Sequence, residues 1–283
     1  MNFSTSDITA PTLVSYELSS YEIDLSQGDY VIDVQARITD DISGVSDGQY
    51  SSGVFRGTSQ ARWRSPSGNQ FLDAGYFTQP SSGTYLDGIY LGQTILNKNS
   101  EAGTWKLEYV QLYDESGNTN QLSKNDLDEL GIRTTFEVSP LYVYRLRNDN
   151  SGKYLFSSNQ GEIDTITGAG WTNEGIAYKS PGSDEGTSAL HRFHTNGNGH
   201  FYTANEYEKK ILESTTSWTY EGIAFQVFSH EQASFVTGSI PVIRYLNANS
   251  GIHLYSTSSF EQDILNSAPE WIYEGVAWYG EGL

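Results

Sequence analysis

The first half of the chain alternates between apolar and polar positions in short runs. In the clearest run apolar side chains occupy every second position, at Tyr30, Ile32, Val34, Ala36 and Ile38. This period of two predicts a strand with one buried face and one face in water. Clusters of Ser, Gly, Asn and Pro separate the runs and favour turns. About seven short strands at this spacing predict a β-sandwich over residues 1–139.

A seven-residue phrase occurs three times in the second half of the chain. It reads Trp-Thr-Asn-Glu-Gly-Ile-Ala from Trp171, Trp-Thr-Tyr-Glu-Gly-Ile-Ala from Trp218 and Trp-Ile-Tyr-Glu-Gly-Val-Ala from Trp271. A fixed repeat indicates one structural unit that buries its apolar face by packing against copies of itself. Three copies favour a closed body with pseudo-threefold symmetry, because an open stack needs a polar cap at each end. Equivalent surface sites on such a body are more typical of a binding protein than of an enzyme.

Each repeat predicts the same order of elements. A strand around an arginine (Arg145, Arg192 or Arg244) is followed by a glycine-containing turn, a second strand and a short amphipathic helix. The repeated phrase then forms the closing strand. The repeats are predicted at residues 141–180, 189–229 and 241–283. The predicted fold is therefore all-β with short helices, with a β-trefoil-like domain over residues 140–283 that carries one helix per repeat.

Five segments of the first half resemble bacterial immunoglobulin-like repeats. They are Asp7-Ile8-Thr9-Ala10-Pro11-Thr12-Leu13, Thr39-Asp40-Asp41-Ile42-Ser43-Gly44-Val45, Ser65-Pro66-Ser67-Gly68, Gly103-Thr104-Trp105 and Asp114-Glu115-Ser116-Gly117-Asn118. The resemblance implies an immunoglobulin-like sandwich of the kind that acts as a spacer in large secreted and surface proteins.

The second half is similar to a bacterial repeat family of uncharacterised function. The resemblance is carried by the hairpin phrase from Asn247 to Thr257 and by the phrase Trp-x-Tyr-Glu-Gly-Val-Ala. Members of that family occur in triplets at the ends of secreted hydrolases and surface proteins. The resemblance implies a threefold β body that binds cell-wall or other polysaccharide glycans.

Charge and composition narrow the classes of partner. The net charge is −19 and the pI is about 4.5, so nucleic acid and anionic membrane surfaces are expected to be repelled. The chain contains no Cys, which excludes disulfides and thiolate metal sites. No apolar run is long enough to span a bilayer, and no signal peptide is visible at the N-terminus. We expect a monomeric segment of a longer protein that is secreted or held at the cell surface.

Two acidic turns in the first half are candidates for a calcium site. Asp40 and Asp41 lie in one predicted loop, and Asp114 and Asn118 lie in another. Calcium binds six to eight oxygen ligands from carboxylates, amides and carbonyls, and two loops at one end of a sandwich can supply them together. The alternative is that each Asp accepts a hydrogen bond from its own turn.

The repeats also offer the groups that sugar recognition needs. An aromatic face packs on sugar C–H groups, while carboxylate, amide and imidazole groups bind hydroxyls. The candidate sugar-binding residues are Asn148, Tyr154, Glu174, His200, Tyr202, Glu221, Asn247, His253, Tyr255 and Glu274.

Structural roles compete with this interpretation. The repeated Trp residues are expected in the core, and each repeated Arg is expected to form an ion pair with the repeated Glu. Paired carboxylates could also serve a glycosidase, but an active site is normally single and these residues are triplicated. The sequence therefore predicts a non-catalytic carbohydrate-binding or adhesion segment, with a structural tail or accessory domain of a secreted hydrolase as the alternative.

Overall fold

The computed structural model describes residues 6–51, 54–55, 57–183, 186–195 and 197–283. They form two compact units. The first contains residues up to Asp24, Asp29–Asn97 and Gly103–Ser139, and the second contains Pro140–Leu283 with Leu25–Gly28 and Lys98–Ala102. Strands hold 50% of the residues and helices 13%, which confirms the predicted all-β class with short helices. Among the described residues, no helix is long and apolar enough to cross a membrane.

The first unit contains two main sheets whose strands are antiparallel except for one pair. Its elements are β1 (Thr12–Leu18), β2 (Glu22–Ile23), β3 (Tyr30–Thr39), β4 (Tyr50–Ser51), β5 (Val54–Phe55), β6 (Ser59–Arg64), β7 (Phe71–Phe77), β8 (Ser82–Gly83), β9 (Asp87–Leu96), β10 (Gly103–Tyr113), β11 (Thr119–Ser123), α1 (Lys124–Glu129) and β12 (Thr135–Val138). One sheet has the strand order β1-β3-β9-β8, and the other has the order β2-β12-β10-β6-β7 with β11 paired to β10. β2 pairs with β12 in parallel.

Large aromatic side chains from both sheets meet between them. Tyr16 on β1 and Trp63 on β6 are buried, and the indole Nε1 of Trp63 donates a hydrogen bond of 3.0 Å to the Tyr16 hydroxyl. Phe77 and Tyr90 extend the same cluster with a ring separation of 6.2 Å. Alternate residues of β3 are buried, as its period of two predicts. The unit is a two-sheet sandwich, and its immunoglobulin-like identity stays a prediction.

The second unit repeats one arrangement of three strands and a helix. Its elements are β13 (Leu141–Asn148), β14 (Tyr154–Ser157), α2 (Gln160–Gly168) and β15 (Trp171–Ser180); β16 (Ser188–Thr195), β17 (Gly199–Thr203), α3 (Glu206–Glu213) and β18 (Thr219–Val227); α4 (His230–Ala233); and β19 (Ser239–Asn247), β20 (His253–Ser256), α5 (Ser259–Ser267) and β21 (Trp271–Glu281). In every repeat the first strand lies between the second and the third. Only α4, in the connection before the third repeat, has no counterpart in the sequence prediction.

A short polar side chain caps each of the three repeat helices. Asn159, Asn205 and Ser258 each accept hydrogen bonds from backbone N–H groups in the first turn of their helix. These bonds satisfy backbone N–H groups that have no partner inside the helix. Such a cap typically adds about 1 kcal/mol to the stability of the protein.

The glycine of the repeated phrase lets the closing strand bulge at one fixed place. Gly175, Gly222 and Gly275 have φ values of 101°, 104° and 99°, a region that side chains with a Cβ rarely adopt. The strand register shifts beside each of them. A Cβ at these positions would have open space around it, so the glycine is required by its backbone conformation rather than by crowding.

One apolar cluster at the centre of the unit receives matching side chains from every repeat. Each repeat contributes an aliphatic residue from its first strand and aromatic residues from its second and third strands: Val143, Phe156 and Tyr178; Leu190, Tyr202 and Phe225; and Val242, Tyr255 and Trp278. None is more than 1% exposed. The three repeats therefore pack around a common axis.

The repeated tryptophans lie outside this central cluster. Trp171, Trp218 and Trp271 are half-buried, so the prediction that they fill the core was wrong. Trp171 instead packs at the edge of a small cluster that includes Leu155 and Ile163, beneath the helix of its own repeat. In repeat three Trp271 packs in the same way against a cluster that includes Leu254 and Leu265.

Candidate binding grooves between the repeats

Three aromatic rings meet edge to face at the centre of the second unit. The ring centroids of Phe156, Tyr202 and Tyr255 are 5.9, 5.6 and 6.1 Å apart, and their planes cross at 81°, 89° and 87°. Edge-to-face packing is a favoured geometry because the positive edge of one ring meets the negative face of the next. The arrangement fixes how the second strands of the repeats approach one another.

Two of these rings tie neighbouring repeats together through their hydroxyls. The Tyr202 hydroxyl donates to the carbonyl of Phe156 at 3.0 Å and accepts from its N–H at 2.8 Å. The Tyr255 hydroxyl makes the same pair of bonds to Tyr202, at 3.2 and 2.8 Å. Phe156 has no hydroxyl to complete the circle, and Arg145 donates to the Tyr255 carbonyl at 3.4 Å.

The burial of these tyrosines corrects part of the predicted site. Tyr202 and Tyr255 are 1% exposed, and burial raises the pKa of both phenols well above the usual range. Their rings therefore cannot stack on a ligand in solution, and they belong to the core rather than to a sugar site.

Asn148 and Asn247, two other predicted contacts, instead shape the hairpin turns. The side-chain oxygen of Asn148 accepts from the N–H groups of Asn150 and Ser151 at 3.1 and 2.9 Å. Asn247 makes the matching bonds in the third repeat, to Asn249 and Ser250. Sharing the oxygen with two backbone donors gives each Asn a structural role in its turn.

Each repeated Arg joins its own repeat to the one before it. The guanidinium of Arg192 contacts Glu221 of its own closing strand at 2.8 Å and binds Glu162 on the helix of repeat one in bidentate fashion, at 2.9 and 3.0 Å. Arg244 contacts Glu274 at 2.8 Å and Glu208 of the second helix at 3.1 Å. Burial acts against ionisation, but the hydrogen bonds and charge of Arg192 lower the pKa of Glu162.

The same kind of contact joins the third repeat to the first, so the three repeats form a closed circle. Arg145 contacts Glu174 at 2.6 Å and binds Glu261 of the third helix at 2.6 and 3.1 Å. The structure thus contains the Arg–Glu pairs expected from the sequence and adds the helix glutamates, which the sequence reasoning missed. Their signal was present, since a Glu stands three positions after the helix cap in every repeat.

The predicted histidines lie beside these ion pairs. His200 Nε2 is 3.6 Å from Glu221, His253 Nε2 is 3.4 Å from Glu274, and the two imidazoles are 13% and 12% exposed. A hydrogen bond from His253, aided by Arg244, lowers the pKa of Glu274. Repeat one has Tyr154 at the matching place, with its ring 5.5 Å from the Arg145 guanidinium.

Mild acid should destabilise the repeat unit through His200. Burial, aided by the charge of Arg192, lowers the pKa of His200 from 6.5 to about 4. Between these pH values the unfolded chain binds a proton that the folded chain does not, so stability decreases as the pH falls through this window. We expect the free energy of unfolding to decrease by roughly 2–3 kcal/mol between pH 7 and pH 4 from this group.

Denaturant unfolding at a series of pH values measures the effect. His200→Tyr introduces the residue that repeat one has at this place. It should reduce the dependence of the free energy of unfolding on pH between pH 6.5 and pH 4. His230→Gln, at an exposed histidine outside the Arg–Glu pairs, serves as the matched control. Equal slopes for wild type and His200→Tyr would contradict the expected coupling.

Cavities lie between the helix of repeat one and the strands of repeat two, and between the helix of repeat two and the strands of repeat three. Matching Arg–Glu contacts join the helix of repeat three to the strands of repeat one. We call these the first groove (helix of repeat one, strands of repeat two), the second groove (helix of repeat two, strands of repeat three) and the third groove (helix of repeat three, strands of repeat one). The second groove has a volume of about 400 Å³. Its lining includes Tyr207, Glu208, Ile211, Arg244, Glu274 and Val276.

The other two grooves use matching positions. The first contains Glu162, Arg192, Glu221 and Ile223. The third is built around Arg145, Glu174 and Glu261, with Phe260 and Ile264 exposed on its helix. All three predicted glutamates, Glu174, Glu221 and Glu274, therefore belong to the grooves.

A histidine in repeat two has polar partners on both ring nitrogens. His191 is 4% exposed, with Nδ1 2.8 Å from the Tyr220 hydroxyl and Nε2 3.0 Å from Glu206. The matching positions in repeat one are Tyr144, Asn173 and Gln160, so this constellation is not threefold. It was missed from the sequence because the three residues lie on different elements.

The predicted calcium site is brought together only in part, since Asp40 and Asp41 lie near Asp7 whereas Asp114 pairs with Asn118. Carboxylate oxygens of Asp7, Asp40 and Asp41 lie within 4.8 Å of one another. Asp114 is fully buried and accepts hydrogen bonds from the backbone and side-chain nitrogens of Asn118, both at 2.7 Å. Asp7 was not predicted because it is more than thirty residues away in the sequence.

Turn hydrogen bonds and an unsatisfied oxygen coexist in this cluster. Asp40 Oδ1 accepts from the N–H groups of Ile42 and Gly44, the turn role that the sequence left open. Asp40 Oδ2 is buried without a hydrogen-bond partner. Burial, together with the charges of Asp7 and Asp114, raises the pKa of Asp40. A bound cation would relieve this repulsion, and the donors are the oxygens that calcium prefers.

Comparison with known families gives one match. Two overlapping segments, residues 110–228 and 142–281, match the family described as Domain of unknown function (DUF5648). Together they extend over residues 110–281, more than half of the chain, and include all three repeats. No curated protein and no solved structure matches the chain.

Proposed function

The chain belongs to the family described as Domain of unknown function (DUF5648), and we propose that this member is a non-catalytic carbohydrate-binding or adhesion segment of a secreted protein. The observation that carries the proposal is the second groove, where the exposed ring of Tyr207 lies beside the Arg244–Glu274 pair. Aromatic faces pack on the C–H groups of a sugar, while carboxylates and guanidinium groups bind its hydroxyls.

The charge arrangement favours binding over glycoside hydrolysis. A glycosidase needs one carboxylic acid that stays protonated, which requires a raised pKa. In the second groove both Glu208 and Glu274 contact the guanidinium of Arg244, and the pKa of Glu274 is lowered. A carboxylate held in this way is a hydrogen-bond acceptor rather than a proton donor.

The surrounding chain supports an extracellular setting. A sandwich that resembles immunoglobulin-like spacers precedes the repeats, and the resemblance of the repeats is to modules of secreted hydrolases and surface proteins. The alternative is a structural tail or an accessory domain of such a hydrolase without its own ligand. The mutual pairing of the groove charges favours that alternative, because Arg192, Glu162 and Glu221 also hold two repeats together.

Retention on polysaccharides separates the two functions. The intact chain should sediment with at least one insoluble polymer from a panel of cellulose, chitin, β-glucan and bacterial cell wall, and free oligosaccharide of that polymer should release it. Each site is expected to be weak, with avidity supplied by several sites on one polymer. Absence of retention on the whole panel would favour the structural alternative, whereas release of new reducing ends would indicate an enzyme.

We also propose that the acidic cluster of the first unit binds calcium. Asp7, Asp40 and Asp41 would supply carboxylate oxygens, with Asp114 and Asn118 behind them. The supporting observation is the buried, unpartnered Oδ2 of Asp40 among like charges. The ion would stabilise the loops rather than take part in a reaction.

Calcium should then raise the melting temperature of the first unit. At about 100 times the dissociation constant, a ligand adds about 2.7 kcal/mol, which for a domain of this size is a shift of roughly 5–10 °C. Calorimetry with added calcium chloride and with EDTA measures the shift. Asp40→Asn should abolish it, while the surface substitution Asp33→Asn should preserve it. Identical melting curves in calcium and in EDTA would contradict the proposal.

A further inference from the structure

The three grooves share their charged residues but differ in the helix side chains that face solvent. Two positions after the helix cap, repeat two has Tyr207 and repeat three has Phe260, whereas repeat one has Gly161. Four positions further along, Ile211 and Ile264 stand where repeat one has Thr165. The second and third grooves therefore carry an aromatic and an aliphatic side chain that the first groove lacks.

These side chains lie on the surface. Tyr207 is 75% exposed, Phe260 is 74% exposed, and Ile211 and Ile264 are 46% and 54% exposed. Single exposed apolar residues are common on proteins. Here an aromatic and an isoleucine share one helix face in two repeats, and in the second groove both line the same cavity as the ion pair. Since the core already closes without them, packing does not account for their recurrence.

The charges of the grooves select the type of ligand. In the second groove the guanidinium of Arg244 contacts two carboxylates, Glu208 and Glu274, so the formal charge is negative. In the third groove Arg145 contacts Glu174 and Glu261, and Arg147 pairs with Glu174 and Asp149, so carboxylates again outnumber guanidinium groups. The first groove differs, since Lys98 also lines it. The whole chain carries a charge of −19. A polyanionic glycan would be repelled, whereas an uncharged sugar offers C–H faces for the ring and hydroxyls for the carboxylates.

We propose that the second and third grooves each bind one uncharged sugar residue, stacked on Tyr207 and on Phe260, and that the first groove binds none. This inference rests on the proposed carbohydrate-binding function and predicts two sugar-binding sites per chain. Two sites on a rigid body suit two sugar residues of one chain or of neighbouring chains in a polymer, and linking the two raises the overall affinity.

Four single variants and one double variant test the proposal, with retention on the polymer that binds the wild type as the readout. Tyr207→Ala and Phe260→Ala should each weaken retention by roughly tenfold or more, because linked sites gain on the order of 100-fold over one site. The double variant should abolish retention. Thr165→Ala, at the helix position of the first groove that matches Ile211, and Phe235→Ala, an exposed aromatic residue outside the grooves, should bind as the wild type does.

The outcomes separate this inference from the proposed function. If the wild type is retained and the double variant is retained equally well, the assignment of the aromatic platforms is overturned while carbohydrate binding stands. The same holds if Thr165→Ala or Phe235→Ala causes the loss, or if polygalacturonate or alginate binds as well as the uncharged polymers. If the wild type is retained on no polymer, both the proposed carbohydrate binding and this inference are contradicted. Calorimetric titration with an oligosaccharide of the retained polymer should give two sites per chain, and three would also overturn the inference.

Discussion

Replacing Tyr255 with alanine should remove most of the stability of the three-repeat unit. The ring is 1% exposed and contacts Phe156, Tyr202 and Trp278. Truncating a buried aromatic residue leaves a cavity that costs about 3–5 kcal/mol. The lost hydroxyl also leaves the Tyr202 N–H without its acceptor, which adds about 1–3 kcal/mol. We expect the free energy of unfolding to fall by roughly 4–8 kcal/mol.

Two further substitutions make the Tyr255 measurement specific. Tyr255→Phe keeps the ring and removes only the hydroxyl, so guanidinium chloride unfolding should show a loss of about 1–3 kcal/mol. Tyr207→Ala removes an exposed tyrosine and should change stability by less than about 0.5 kcal/mol. A Tyr255→Ala variant that unfolds within about 1 kcal/mol of the wild type would mean that the three rings do not meet at the axis.

Replacing Arg192 with alanine should also destabilise the three-repeat unit. Its guanidinium is 18% exposed and is the shared cation for Glu162 and Glu221, which are 30% and 29% exposed. Removing one partner of a fully buried pair costs about 3–5 kcal/mol, because the remaining charge is left uncompensated. Partial exposure screens these carboxylates, so we expect a loss of roughly 2 kcal/mol.

A conservative variant and a more exposed arginine distinguish the charge effect from lost packing. Arg192→Lys keeps the charge but cannot bind Glu162 in bidentate fashion, so its stability should be intermediate. Arg147→Ala removes a more exposed arginine, 43% accessible, and should cost less than about 1 kcal/mol. Equal losses for Arg192→Ala and Arg147→Ala in chemical denaturation would contradict the bridging role.

The sequence was most informative where one local signal occurred three times. The repeated phrase and the capping residues predicted the strand and helix order of each repeat, because caps and turn glycines act within a few residues of themselves. Asn205 and Ser258 are cases in which a short polar side chain has one obvious backbone partner.

The burial of aromatic residues could not be read from the same pattern. A tyrosine suits both a ligand surface and a core, and only the approach of Phe156 shows that the Tyr202 hydroxyl satisfies a neighbouring backbone. Trp271 is half-buried while Trp278, seven residues later on the same strand, fills the core. Residues seven apart lie on opposite faces of a regular strand, but two register shifts lie between these two, so alternation alone does not show which ring faces the core.

Contacts between elements that are distant in the sequence could not be predicted either. The sequence shows that each repeat has an Arg and a Glu, but the choice of neighbour for Arg145 depends on the direction in which the repeats rotate about their axis. The partner turned out to be Glu261, more than one hundred residues away. The position of Asp7 beside Asp40 and Asp41 is likewise a contact between residues distant in the sequence, so it was not predicted.

A double-mutant cycle on Arg145 and Glu261 tests the central claim, that three repeats close into a ring, most directly. These residues belong to the first and the last repeat and meet only if the ring closes, with N–O distances of 2.6 and 3.1 Å. Arg145→Ala, Glu261→Ala and the double variant should give a coupling energy of about 1 kcal/mol or more in unfolding experiments. Additive effects, with a coupling near zero, would contradict the closed threefold arrangement and the grooves that depend on it.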